Sequence, residues 1–253
     1  MIESHPIDDL YSGLALETWK KILPKDLHYH FGEVNKEGVN IFEQAVRSLY
    51  EFIEPSSSVL DCGCGWGGPA GMLISELGCE VEGVTISKQQ YAFISKFKVF
   101  CEDLHEFRPK RLYDVALFME SYTHLHDAPF VLKRLAPSVR SVLIKDFVSH
   151  ETFYNQDWQM TIRSRQHFVN ELEGSNHFAI KEIREYSDDC MRSSFEYWFK
   201  NILLLLDESE RIGHASLLWD LCRSGLSGAQ EENKSNNASV RSILIYAERI
   251  SSG

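Results

Sequence analysis

Basic side chains are in short supply. The chain carries 26 Lys and Arg against 37 Asp and Glu, for a formal net charge of −11. Affinity for a phosphate backbone needs clustered cations, so nucleic acid is not expected as a partner. The short runs Arg108-Pro109-Lys110-Arg111 and Lys133-Arg134 read as solvated faces. Long apolar runs are missing as well: Leu203 to Leu206 is apolar but far too short to span a bilayer, and no membrane partner is expected. The opening Met1-Ile-Glu-Ser-His-Pro6 is neither basic nor followed by an apolar block, which argues against a signal peptide. Cysteines number six, at 62, 64, 79, 101, 190 and 222. Cys62-Gly63-Cys64 lacks the two-residue spacer of zinc-binding pairs, and no second pair follows, so no metal is expected. Four of the six fall in or beside segments that read as buried strands, where a free thiol acts as a small hydrophobe. These features together predict a reducing, cytoplasmic setting.

What is present is a 253-residue chain with 43% hydrophobic content, enough for one large domain with a full core. Short apolar runs alternate with helical patterns through its middle. Strands are expected at 58–62, 80–85, 98–101, 113–118 and 141–147, with helices at 68–77, 88–97 and 128–135 between them. Alternation of this kind predicts an α/β fold: a doubly wound, mainly parallel sheet, Rossmann-like, seven-stranded with an antiparallel last strand. Helical spacing at 7–23 and 36–53 predicts an N-terminal helical cap over residues 1–56, ahead of a core over 57–150. Residues 151–225 are expected to form a helical lid with one core strand, with helices at 155–172, 188–207 and 212–222 and a strand at 178–186. Residues 226–253 hold a linker and the final core strand, at 240–247.

The segment Val59-Leu-Asp-Cys-Gly-Cys-Gly-Trp-Gly-Gly68 is a strand that runs into glycines and then a helix. Ligands of open α/β sheets sit beyond the carboxyl ends of the strands. Glycine lets the backbone bend there and approach a ligand, and the helix start offers unpaired N–H groups. Gly63-x-Gly65-x-x-Gly68 also matches a dinucleotide fingerprint, and a nicotinamide-dependent oxidoreductase is one alternative. Asp61 argues against it, because a carboxylate at the strand's end repels a pyrophosphate and suits a ligand with an ammonium group. The second strand ends in Val84-Thr-Ile-Ser87, without the acid a nicotinamide site wants.

Asp61-x-Gly63-x-Gly65-x-Gly67 resembles motif I of class I S-adenosylmethionine-dependent methyltransferases. Gly83-Val-Thr-Ile-Ser-Lys-Gln-Gln90 is similar to the following segment in the branch that holds cyclopropane fatty acid synthases and tocopherol- and sarcosine-type enzymes. The resemblance spans about residues 20 to 200 and implies S-adenosyl-L-methionine as cofactor, with S-adenosyl-L-homocysteine as product. It implies cofactor roles for Asp61, Gly63, Gly65 and Gly67, for Thr85 and Gln90 in place of a ribose-binding acid, and for Asp103 and Leu104 beside the adenine. Tyr29, in Tyr29-His-Phe-Gly32, resembles the aromatic loop that closes over the cofactor. Glu120, in Glu120-Ser-x-x-His124, resembles the loop beyond the fourth strand. Thr123 stands where an acid would precede the loop histidine of cyclopropane synthases, so lipid cyclopropanation is not expected.

Methyl transfer from a sulfonium mostly requires alignment and exclusion of water; a base is needed only when the acceptor is protonated. Glu120, His124 and His30 are the candidate catalytic groups. His126, Arg163, Arg165, Tyr197 and Trp198 are the candidate acceptor-binding residues, the arginines because a guanidinium pairs well with an anionic acceptor. The favoured expectation is a small-molecule or peptide-like natural-product acceptor methylated on carboxylate oxygen. A C- or N-methyltransferase on an isoprenoid or amine, and a non-catalytic nucleoside-binding domain, are further alternatives.

Overall fold

A computed structural model describes residues 14–23, 30–31, 41–186, 188–212, 219–220, 222 and 240–250. Of the expected helix at 7–23, the described part is α1 (Leu14–Ile22), and of that at 36–53 it is α2 (Ile41–Arg47) followed by a 3-10 turn at Tyr50–Phe52; residues 7–13 and 36–40 lie outside the described residues. The core then runs β1 (Ser58–Cys62), α3 (Gly68–Leu77), β2 (Glu80–Thr85), α4 (Lys88–Phe93), β3 (Lys98–Cys101), β4 (Tyr113–Met119), α5 (Ala128–Leu135) and β5 (Val139–Ser149). After it come β6 (Phe153–Asn155), β7 (Met160–Ser164), α6 (Arg165–Gly174), β8 (Phe178–Glu185), α7 (Asp188–Leu205), α8 (Glu208–Ile212) and β9 (Arg241–Arg249). The linker expected at 225–238, and most of the expected helix at 212–222, lie outside the described residues.

Local chemistry sets these boundaries. Helix α3 is flanked by glycine at both ends: Gly67 caps its start with φ 82°, and Gly78 ends it with φ 68°, its N–H bonded to the Ile74 and Leu73 carbonyls. The start of α4 is capped by Ser87 Oγ, which accepts from Gln90 N, and that of α5 by Asp127, which accepts from Phe130 N. α4 stops at Phe93, short of the expected Phe97, and the Phe97 ring folds back toward the glycine loop instead.

The sheet has the order β3-β2-β1-β4-β5-β7-β6, with β9 antiparallel to β5 and β8 antiparallel to β9. Strands β1 to β5 run parallel. The expected seven-stranded core with its antiparallel last strand is present, and the β6–β7 hairpin brings the sheet to nine strands. Val148 pairs with Arg241 of β9 and with Arg163 of β7, so β7 takes up the side of β5 that β4 leaves after Met119. Buried side chains fill both faces, with Phe118, Val142, Ile144 and Phe168 in one cluster and Val59, Leu73, Leu117 and Leu143 in the other.

The expected helix at 155–172 is corrected to this hairpin plus α6. Asn155 Oδ1 accepts from Trp158 N at 3.1 Å, and Gln159 adopts a left-handed φ of 51°, which closes a turn that no helix contains. Thr161 and Ile162 are β-branched and suit the returning strand. Ser164 then caps α6 by accepting from His167 N at 3.2 Å.

Candidate active site

The carboxyl ends of β1, β2 and β4 converge. Asp61 sits at the end of β1, in register with Gly83 of β2 and Leu117 of β4. It is 2% exposed, and its Oδ2 is buried with no hydrogen-bond partner among the described residues. Burial pushes its carboxyl up to about 7 from the ordinary 3.8. A buried acceptor without a donor is costly, and an ammonium group would satisfy it.

The glycines after Asp61 turn the chain through left-handed conformations, with φ 83° at Gly63, 53° at Gly65 and 82° at Gly67. A Cβ on Gly63 would lie 2.6 Å from Ser121 Cβ, so this position admits the loop after β4 as well as the turn. A Cβ on Gly67 would lie 2.9 Å from Phe97 Cε1. Ser121 Oγ donates to the Cys62 carbonyl at 2.5 Å, locking the two loops together.

At the end of β2 the expected pair is brought together: Thr85 Oγ1 donates to Gln90 Oε1 at 2.6 Å, and both are buried. Asp103 lies beyond β3, where its Oδ1 accepts from His105 N and from His105 Nδ1, each at 2.8 Å. Leu104 beside it is buried. His105 stacks on His126 with ring centroids 3.7 Å apart. His126 thus lies beside the Asp103 corner.

Glu120 follows β4 with φ 54°, an uncommon conformation for a residue with a Cβ. Its Oε1 accepts from Phe31 N at 2.6 Å, and its Oε2 lies 3.4 Å from His30 Nδ1. Residues 30 and 31 are thus tied to the end of β4. Phe31 meets Phe147, Phe195 and Trp198 edge-on, at centroid distances of 5.2, 5.1 and 4.9 Å. Tyr29, expected in the same segment, lies outside the described residues. His124 sits in a 3-10 turn, and its Nδ1 is 3.1 Å from the Gln159 carbonyl. A carbonyl only accepts, so the neutral ring carries its proton on Nδ1 and its basic lone pair on Nε2.

The two expected acceptor-binding arginines are engaged within the chain. Arg163 is 2% exposed; its Nε donates to Glu171 Oε2 at 2.8 Å, and its other nitrogens donate to the carbonyls of Tyr122, Leu125 and Thr161. It ties β7 to the loop after β4. Arg165 opens α6 with a 56% exposed side chain, 3.6 Å from Glu185. Of the two expected aromatics, Trp198 is buried against Phe31 and Phe42, while Tyr197 is half-exposed with its ring edge-on to Phe42.

Two residues of the site were not anticipated. Phe147 faces Phe31. Asp146 is fully buried, accepting from Thr123 N at 2.9 Å and from Phe147 N at 2.8 Å, with its carboxyl pushed up to about 7 by burial. The charged pair Lys145-Asp146 inside the apolar run from Val142 to Val148 was the available signal, since such a strand is buried on both faces. Among the described residues no group of three His, Cys, Asp or Glu is placed to hold a metal ion, and no helix is long and apolar enough to cross a membrane.

With this geometry in place, the chain can be compared with known proteins. Residues 42–127 match the sequence model of the mycolic acid cyclopropane synthetase family. The chain is 24% identical over 154 residues to phosphoethanolamine N-methyltransferase 1 of Zea mays, a match covering 56% of this chain and 30% of that protein. It is 33% identical over 115 residues to geranyl diphosphate 2-C-methyltransferase of Saccharopolyspora erythraea, covering 33% of this chain and 40% of that protein. The matches thus span well under half the length of these relatives. The crystal structure of coclaurine N-methyltransferase, bound to N-methylheliamine and S-adenosylhomocysteine, superimposes with a TM-score of 0.75 at 17% identity, covering 92% of this chain and 81% of that one. The fold is the Rossmann-like methyltransferase fold, and the resemblance to class I S-adenosylmethionine methyltransferases of the cyclopropane-synthase-like branch is borne out.

Proposed function

We propose that this chain transfers a methyl group from S-adenosylmethionine to a small molecule with an apolar body, on nitrogen or carbon. The observation that carries the cofactor assignment is the buried, unpartnered carboxylate oxygen of Asp61 beside a left-handed glycine turn. Asp61 would hold the ammonium group, and Thr85 and Gln90 the ribose. The cofactor, when bound, supplies an electrophilic methyl on a sulfonium. The chain's own residues align the acceptor and exclude water: Phe31, Phe147, Phe195 and Trp198 form an apolar wall that Glu120 fastens in place.

Carboxylate oxygen, the expectation from sequence, loses its support once Arg163 is bound to Glu171 and backbone carbonyls and Arg165 points outward. An amine suits the acidic side chain of Glu120, and His124, whose Nδ1 faces the Gln159 carbonyl, is the candidate base for its proton. Relatives that act on phosphoethanolamine and on geranyl diphosphate support the nitrogen and carbon readings respectively.

The test has two stages. Thermal shifts with S-adenosylhomocysteine, NAD and NADP should show stabilisation by the first alone. Transfer of labelled methyl from S-adenosylmethionine to a panel of amines, isoprenoids and carboxylic acids should then label an amine or an isoprenoid. Labelling of carboxylic acids alone refutes the acceptor reading, and stabilisation by NAD alone refutes the cofactor reading.

A further inference from the structure

Glu120 adopts a conformation that its side chain disfavours, and the chain on either side shows what holds it there. Its N–H donates to the Lys145 carbonyl of β5 at 2.7 Å. The next residue, Ser121, is anchored to the Cys62 carbonyl at the end of β1. Two residues further on, the Thr123 N–H donates to Asp146 Oδ2 at 2.9 Å, and Thr123 Oγ1 donates to the Thr161 carbonyl of β7. Consecutive residues of β5 thus grip the chain at both ends of a short reversal, one by its backbone and one by its side chain. A chain that must reverse between two such close anchors has few conformations open to it, and the left-handed φ of 54° at Glu120 is the result.

We propose that Asp146 is the positioning residue for Glu120: by holding the Thr123 amide it keeps the reversal after β4 in the form that aims the Glu120 carboxylate at His30 and Phe31. The side chain is fully buried and accepts from two backbone amides, and the loop it holds carries the carboxylate that accepts from Phe31 N. The charged and titratable groups around it are Glu120 and Arg163, with the Tyr122 phenol nearby. None of them bonds the Thr123 amide in its place. The inference stands on the geometry of these segments without any ligand, so its failure leaves the methyl-transfer reading intact.

Amide-resolved hydrogen exchange on the ligand-free full chain tests it. The Phe31 amide, whose acceptor is Glu120 Oε1, reports whether the aim is kept. In Asp146→Ala, Phe31 exchange should rise about tenfold or more, the usual consequence of leaving a buried donor unpaired, while amides of Val142 to Ile144 in β5 change far less. Asp146→Asn offers one acceptor oxygen for the Thr123 and Phe147 amides, so Phe31 exchange should rise no further than in Asp146→Ala. In a Glu120→Ala background, where the acceptor is already gone, Asp146→Ala should add nothing. Should Asp146→Ala not fold, Asp146→Ser, whose shorter oxygen cannot reach both amides, carries the same expectations. An unchanged Phe31 rate in Asp146→Ala, a rise matched by the β5 amides, or full additivity with Glu120→Ala overturns the proposal.

Discussion

Asp61 makes binding of the cofactor dependent on pH. Its carboxyl is held near 7, against an ordinary 3.8, by burial alone. That displacement corresponds to a cost of about 4 kcal/mol for the bare charge in its site. An ammonium group beside Asp61 needs the ionised form. In the ligand-free protein only about one carboxylate in ten is ionised at pH 6, so the ligand must first expel a proton. S-adenosylhomocysteine affinity should therefore rise about tenfold per pH unit from pH 5 to 7 and level off above 7. Stability of the ligand-free protein runs the other way. The unfolded chain ionises this acid above 3.8 and the folded chain only near 7, so stability falls as pH rises between those values. The thermal shift produced by S-adenosylhomocysteine should accordingly be larger at pH 7.5 than at pH 6, taking these as roughly above and about one unit below the folded value. Calorimetry in two buffers of different ionisation heat should show close to one proton released per ligand at about pH 6 and far fewer at about pH 7.5. Asp61→Asn should bind more weakly near pH 7.5 and lose the slope. Equal affinity at the two pH values, or an unchanged slope in Asp61→Asn, refutes the pairing of Asp61 with an ammonium group.

Gly63→Ala should lower the melting temperature and abolish S-adenosylhomocysteine binding, because the new methyl would sit 2.6 Å from Ser121 Cβ at a φ of 83°; a variant that melts and binds as the parent does would contradict this packing. Arg163→Ala should cost about 3–5 kcal/mol in chemical denaturation, the usual result of stranding a buried partner such as Glu171, and a selective loss of acceptor affinity at unchanged stability would instead return Arg163 to the acceptor site. Arg165→Ala should leave both stability and the acceptor KM within about twofold, as expected of an exposed pair. For an amine or carbon acceptor, His124→Ala should lower kcat by about 10²–10⁴ if its Nε2 takes the proton, and a fall of only a few-fold would assign proton removal elsewhere.

The parts of this protein legible in its sequence are those decided by neighbours along the chain. Strands β1, β2 and β3 and helices α3 and α5 were bounded correctly because apolar runs, caps and glycines act over a few residues. The turn from Asp61 through Gly67 is of the same kind: a strand end, left-handed glycines and a helix start are local events. Thr85 and Gln90 meet across five residues for the same reason. The helix expected at 155–172 failed where a short apolar run is ambiguous in period, and a turn capped by Asn155 decided for a hairpin. The destinations of long side chains were settled by tertiary structure. Arg163 had the chemistry of an anion clamp, but β7 lies beside the loop after β4, whose carbonyls and Glu171 supply a full set of acceptors for it. Asp146 is one charge in an apolar strand, and only the fold brings the amide of Thr123, 23 residues earlier, over its carboxylate. Glu120 acquired its contact with Phe31 across 89 residues. Sequence carries which groups can bond; only the packed chain brings donor and acceptor within 3 Å, because that distance depends on every element between them.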